Sequence, residues 1–228
     1  MLKRTLFAAL CALFLAAPAS AQTPAPESAG YLVVVGKTLD REKMGAYARA
    51  LAPIYQKLGG HYVGAGGPGR GVTCLMGPCQ GRAAVVARLD RASAVQQFWW
   101  GEDYRQAIRI RDRAGIFTVW GIESEQARPF EGPETGLLLL VRMAPDPAIS
   151  TAFADAAQAA GARIAIAATG DAMIPLEGDA FAAGLTLASF ETKAAREAFL
   201  NTRAARRLGK LDEGAILLAI DAPPAPQR

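Results

Sequence analysis

The chain has 228 residues, of which 51% are hydrophobic and 20% charged, so it can bury one or two ordinary cores. Neither end-to-end disorder nor a disulfide-dense miniprotein fits that composition, and the 23 glycines follow no three-residue period. A single histidine excludes every zinc or catalytic motif that needs two.

Residues 1–21 read as a signal peptide. Lys3 and Arg4 precede an uncharged apolar run, Leu6 to Ala17, and Ala19-Ser20-Ala21 offers a small-x-small cleavage site. The run falls short of the roughly 20 residues that span a bilayer. A periplasmic or secreted protein is expected, with no membrane span. Cleavage after Ala21 would leave 23 basic and 21 acidic residues, a net +2. That excess is too small for a nucleic-acid partner. Basic clusters at Arg105, Arg109, Arg111 and Arg113, and at Arg203, Arg206, Arg207 and Lys210, lie on helical patterns and read first as solvated faces.

Past a Pro- and Ala-rich leader (22–29), Tyr31 to Val35 predicts a strand. Asp40 caps a helix carrying Met44, Tyr47, Leu51, Ile54, Tyr55 and Leu58 on one stripe, and Gly59-Gly60 ends it. His61 to Val63 opens a second strand that runs into a glycine-rich excursion. Ala83 to Leu89 is a third, Asp90 caps a helix through Phe98, another helix runs from Glu102 to Arg113, and Ile116 to Ile122 closes the segment. Residues 125–135, with the Pro and Gly of RPFEGPETG around them, form a linker. The order then repeats in 136–221: strand Leu137 to Met143, helix Ala148 to Ala160, strands Arg163 to Ala168 and Ala180 to Ala188, a helix opening at Phe190 to Thr192, and strand Ala215 to Ile220. Residues 222–228 are a tail. Two β-α-β-β-α-β units give an α+β fold of two ferredoxin-like repeats, each with one bare sheet face to cover. The economical solution is an intramolecular pseudo-dimer, with the chain a monomer.

Residues 98–121, FWWGEDYRQAIRIRDRAGIFTVWG, resemble the end of the DUF1330 domains in the dimeric α/β-barrel superfamily. The matching positions are Phe98-Trp99, Gly101, Asp103-Tyr104, Arg111 and Val119 to Gly121, with Gly59-Gly60 also in place. The likeness covers 30–124 well and 136–221 weakly. It implies the barrel fold, with the second half a divergent copy, and little chemistry. Aligning Phe98-Trp99 with Phe199-Leu200 sets Tyr104 against Ala205, Arg111 against Asp212 and His61 against Ala162, so any single active site belongs to the first half.

Four residues are candidates for a site that binds a small carbonyl- or carboxylate-bearing molecule. Tyr104 and Arg111, seven apart on one helix face, could orient it against the bare sheet, Arg111 by paired hydrogen bonds. His61 is the one imidazole of the chain and could move a proton, which makes His61 and Tyr104 the catalytic candidates. Trp100 could line the pocket. Against these stand plain roles: a core tyrosine, an inter-helix ion pair and a solvent-facing histidine. Cys74 and Cys79 (CLMGPC) predict a structural disulfide in an oxidising compartment rather than a redox pair. The glycine run Gly64 to Gly69 matches G-x-G-x-x-G in letters only. Pro68 interrupts it and no helix follows, so a β2–β3 loop free to close over a ligand is the better reading. No cofactor and no metal are expected. The alternatives to a ligand-binding protein are a non-catalytic envelope structural or interaction module using the second half, and a thiol redox protein.

Overall fold

A computed structural model describes residues 28–179, 182–208 and 214–223. The expected signal peptide, most of the leader, Lys210 and the last five residues of the tail lie outside the described residues. The first half runs β1 (Ala29–Thr38), α1 (Arg41–Lys57), β2 (Gly60–Pro68), β3 (Gly71–Met76), β4 (Ala83–Leu89), α2 (Ser93–Trp100), α3 (Glu102–Ile108), a 3-10 turn over Arg109–Arg111, and β5 (Gly115–Ser124). The second runs β6 (Gly136–Arg142), α4 (Ala148–Ala159), β7 (Arg163–Thr169), β8 (Met173–Glu177), β9 (Gly184–Phe190), α5 (Lys193–Leu200), α6 (Arg203–Leu208) and β10 (Ala215–Asp221).

Local chemistry sets the helix ends. Asp40 holds an extended backbone and its Oδ1 accepts the Lys43 amide at 3.0 Å, while Gly59 leaves α1 at φ +67°, where a side chain would be strained. Thr192 caps α5 in the same way, accepting from the Ala195 amide at 3.0 Å. Asp90, expected to cap α2, does not: Ala92 takes the cap position, and the Asp90 carboxylate instead accepts from the buried Arg88 at 3.0 Å. An ion pair two residues back along the chain outcompetes the cap.

The strands form a ten-stranded sheet among the described residues, ordered β7-β9-β6-β10-β3-β2-β4-β1-β5-β8. Within it each half makes an antiparallel unit, β5-β1-β4-β2 and β10-β6-β9-β7, the ferredoxin-like arrangement. The remaining two strands cross over. β3 leaves the first half to pair with β10, and β8 leaves the second to pair with β5. The two sheet faces without helices meet in one core, to which Tyr31, Val33, Val35, Trp120 and Ile122 come from the first half and Leu137, Leu139, Leu187, Leu218 and Ile220 from the second. The chain is a dimeric α/β-barrel folded within one polypeptide. Two outer layers, one per half, pack helices on the opposite sheet faces. Each fully buried aliphatic or aromatic chain stabilises these layers by about 1.5–3 kcal/mol.

The repeats match residue by residue in register. Gly30 and Gly136 open their first strands and let a helix approach: a Cβ on Gly30 would lie 2.5 Å from Val95, and one on Gly136 3.0 Å from the Lys193 Cα. Tyr31 and His61 both pair with Arg88, and Leu137 and Arg163 both pair with Ser189. His61 therefore corresponds to Arg163, not to Ala162, because the chain from this position to its partner on the neighbouring strand is one residue longer in the first half (His61 to Arg88) than in the second (Arg163 to Ser189), which a gap-free alignment ignores. Both positions meet the connecting segment. His61 Nε2 lies 3.2 Å from Glu131 Oε1, and the Arg163 guanidinium sits 3.9 Å from the Phe130 ring centre.

Two further expectations change. The glycine run is not a free loop: β2 continues through it to Pro68, and a tight turn with an Arg70 amide to Gly67 carbonyl bond of 2.9 Å leads directly into β3. The strand expected from Ala180 begins at Gly184. Cys74 and Cys79 form a disulfide with Cα atoms 5.4 Å apart, which closes the turn after β3 where that strand lies on β10.

Candidate functional site

The outer layer of the first half is hollow. A cavity of about 600 Å³ lies between α1, the α2–α3 corner and the helix-covered face of β1, β4 and β5. Strand alternation puts Leu32, Val34, Phe117 and Val119 in its wall, while their neighbours Tyr31, Val33 and Trp120 point into the barrel. Tyr47, Leu51 and Tyr55 come from α1, and Phe98, Trp99 and Tyr104 from the α2–α3 corner. Their rings pack on one another, Tyr55 stacked on Phe98 at 4.5 Å, and Phe98 and Trp99 tilted against Tyr104 at 4.9 Å and 4.7 Å between centres. Tyr47, Leu51 and Tyr55 of α1 and the rings of the α2–α3 corner line the gap between helix and sheet.

One polar network lines this apolar space. Tyr47 Oη and Tyr104 Oη are 3.2 Å apart, and the Arg111 guanidinium lies against both phenols, 5.3 Å from the Tyr47 ring centre. Arg111 is bound in turn by Glu177 of β8, Nη1 to Oε1 at 2.9 Å and Nη2 to Oε2 alongside it. The fork-on-fork geometry fixes the guanidinium. Burial pushes both phenols above the usual tyrosine range, and Tyr104 is raised further by Tyr47. Burial alone would lower the pKa of Arg111, but its hydrogen bond to Glu177 and its contacts with the tyrosines outweigh that and hold it charged. At neutral pH the site therefore contains two neutral hydroxyls beside a compensated ion pair.

The donor count leaves one proton over. Two phenols share one hydrogen bond, a guanidinium can only donate, and both Glu177 oxygens face Arg111. Whichever phenol donates to the other, one hydroxyl proton has no protein acceptor among the described residues. Tyr104 is 2% exposed, so bulk water reaches it poorly.

Tyr104 and Arg111 thus come together, but on the helix-covered face of the sheet rather than the bare one. A seven-residue spacing fixes their mutual direction and says nothing of which sheet face receives them. His61 and Trp100 do not join them. The His61 side chain is 42% exposed and engaged with Glu131, and Trp100 is 59% exposed, so neither lines the cavity. Two participants escape the sequence. Tyr47 reads there as one more residue of an apolar stripe. Glu177 sits in a five-residue strand, MIPLE, whose partner is β5 of the other half. Among the described residues no helix is long and apolar enough to cross a membrane, and no cluster of His, Cys, Asp and Glu could hold a metal.

Residues 29–124 match the family model for a domain of unknown function, DUF1330. That match spans β1 to β5, the whole of the first half. No curated protein matches the sequence. Among solved structures, the chain resembles an anthrone oxidase-like protein (13% identity, 86% of this chain and 92% of that one, TM-score 0.50). It also resembles candidate monooxygenases from Fusobacterium nucleatum subsp. nucleatum ATCC 25586 (6% identity, 86% and 93% covered, TM-score 0.49) and Lactobacillus acidophilus NCFM (10% identity, 85% and 93% covered, TM-score 0.48). At such identity the first likeness speaks for the fold alone. Both halves are covered by it, and the residues lining the cavity all lie in the first half, with Glu177 behind the Arg111 of its wall.

Proposed function

We propose that this is an exported protein that binds a small, largely apolar molecule in the cavity of its DUF1330 half, through a carbonyl or carboxylate oxygen of that molecule. The observation that carries this reading is the unaccepted phenolic proton of the Tyr47–Tyr104 pair, held over an apolar space of about 600 Å³. Such volumes suit small organic ligands, and a few placed polar groups in an apolar wall fix their orientation. With its pKa raised by burial, Tyr104 would hold and polarise a ligand oxygen without surrendering its proton near neutral pH. His61 would take no part, because it lies outside the cavity.

Native mass spectrometry of the protein purified from the periplasm, without refolding, tests this directly. A mass consistent with cleavage after Ala21 supports export, and a retained small molecule supports the pocket. Tyr104→Phe should release that molecule while the folded protein persists. Recovery of an uncleaved chain overturns export. A retained molecule that survives both Tyr104→Phe and Tyr47→Phe overturns the hydroxyl contact.

A further inference from the structure

The charged residues lining the cavity are Lys37, Arg41, Arg70 and Arg111, all of them basic, and no carboxylate stands among them. Only Arg111 is compensated, by Glu177. Lys37, Arg41 and Arg70 make no ion pair among the described residues. They also share a place. Lys37 lies at the end of β1, Arg41 opens α1 and Arg70 stands in the turn between β2 and β3, and the sheet register brings these segments to the same end of the sheet, Gly66 and Val35 pairing with Ala84 from either side of β4. All three are exposed, whereas Leu32, Phe98 and Tyr104 in the same lining are buried. The cavity therefore has a cationic rim and an apolar body. Its one interior cation is already neutralised by the second half of the chain.

We propose that the ligand is an amphiphilic anion whose negative group sits at the rim on Lys37, Arg41 and Arg70, whose apolar body fills the cavity, and whose neutral oxygen meets the Tyr47–Tyr104 pair. This rests on the ligand-binding reading above and narrows it. Glu177 accepts from both Nη atoms of Arg111, so a second carboxylate there would face the first one across a buried space, and the interior end takes a neutral group. The rim carries three positive charges that make no ion pair among the described residues, and a low-dielectric wall beside them strengthens their pull on an anion.

A matched pair of probes separates the parts: 6-acetyl-2-naphthoate, which carries a carboxylate and a ketone at opposite ends, and its uncharged methyl ester. Binding is followed by titration calorimetry on the full mature chain at low ionic strength. The acid should bind about tenfold more tightly than the ester, and added salt should erode the difference, since rim charges are screened. Lys37→Gln, Arg41→Gln and Arg70→Gln combined should abolish the preference, bringing the acid down to the level of the ester. These are exposed positions, so the variant should fold, which its circular dichroism verifies. An ester that binds as well as the acid overturns the rim site while leaving the cavity reading intact. An acid preference that survives the triple substitution but falls with Glu177→Gln moves the anion to Arg111 and overturns this assignment too. If neither probe binds the unsubstituted protein, both this inference and the ligand-binding reading fall.

Discussion

The two halves share one strand order and use it for opposite ends. In the second, the helix-to-sheet layer is filled: Leu138, Leu140, Phe153, Phe190 and Phe199 are fully buried, and the alanine-rich α4 presents Ala152, Ala156 and Ala157. In the first, the longer α1 presents Met44, Tyr47, Leu51 and Tyr55, and the layer encloses a cavity. All five tyrosines and all three tryptophans of the chain lie in the first half. The pseudo-symmetric positions tell the same story. Where the first half has Gly36 at the cavity end of β1, the second has Arg142, whose guanidinium donates to Ser150 Oγ and to the carbonyls of Ala144, Pro145 and Ala183. The first half holds the cavity, and the second supplies packing and the strand that carries Glu177. Two units of one strand order can differ this way because closing the barrel needs both sheets, whereas each helix-covered layer belongs to one half alone.

Alkaline pH should break that asymmetry most strongly. The five tyrosines, all raised by burial, stay protonated in the folded chain after the unfolded chain has lost their protons. Their contribution to stability is full below about pH 10 and is lost as pH rises beyond it, each adding a slope of about 1.4 kcal/mol per pH unit. Denaturation midpoints should be flat across pH 7–9 on this account and fall steeply above pH 10, with tyrosinate absorbance appearing together with loss of the fold. Tyrosinate absorbance appearing near pH 10 without unfolding would show that the first layer is open to solvent.

Phe153→Ala tests the filled layer. Removing a fully buried ring from α4 should cost about 3–5 kcal/mol in urea unfolding, because its packed neighbours cannot collapse into the void. Leu51→Ala, beside an existing cavity, should cost about 2 kcal/mol, near the lower limit for such truncations. Equal costs would erase the distinction between a solid layer and a hollow one.

Glu177→Ala sharpens the link between the halves. It leaves Arg111, 9% exposed, without its counter-charge, and because Glu177 itself is partly exposed the loss should be smaller than for a fully buried pair, about 2 kcal/mol. Glu177→Gln keeps a hydrogen-bond acceptor and should lose less. A variant as stable as the parent would mean that the clamp contributes nothing to holding β8 on β5.

Much of the architecture could be read from the chain. Tyr31 to Val35 and Ala83 to Leu89 announce strands by composition, Asp40 and Gly59-Gly60 bracket α1, and the repeated order of elements calls for two sheets facing each other. The strand exchange could not be read. MIPLE is short, contains a proline and has no local partner, and it becomes a strand only because the edge of β5 offers hydrogen bonds that β8 can fill. Nor could the hollow layer be foreseen, since an apolar stripe with tyrosines looks the same whether its helix lies on the sheet or is held away from it.

What the sequence determined by itself was the set of elements, their repeated order, the cysteine pair and the concentration of aromatic and polar groups in one half. All of these follow from periodicity, caps and composition, which act over neighbouring residues. Tertiary structure alone decided that Tyr104 and Arg111 face the helices, that Tyr47 and Glu177 complete their network, and that His61 and Trp100 stay outside it. Those choices depend on which sheet face is already covered by the other half, and that is settled by contacts between residues far apart in the chain.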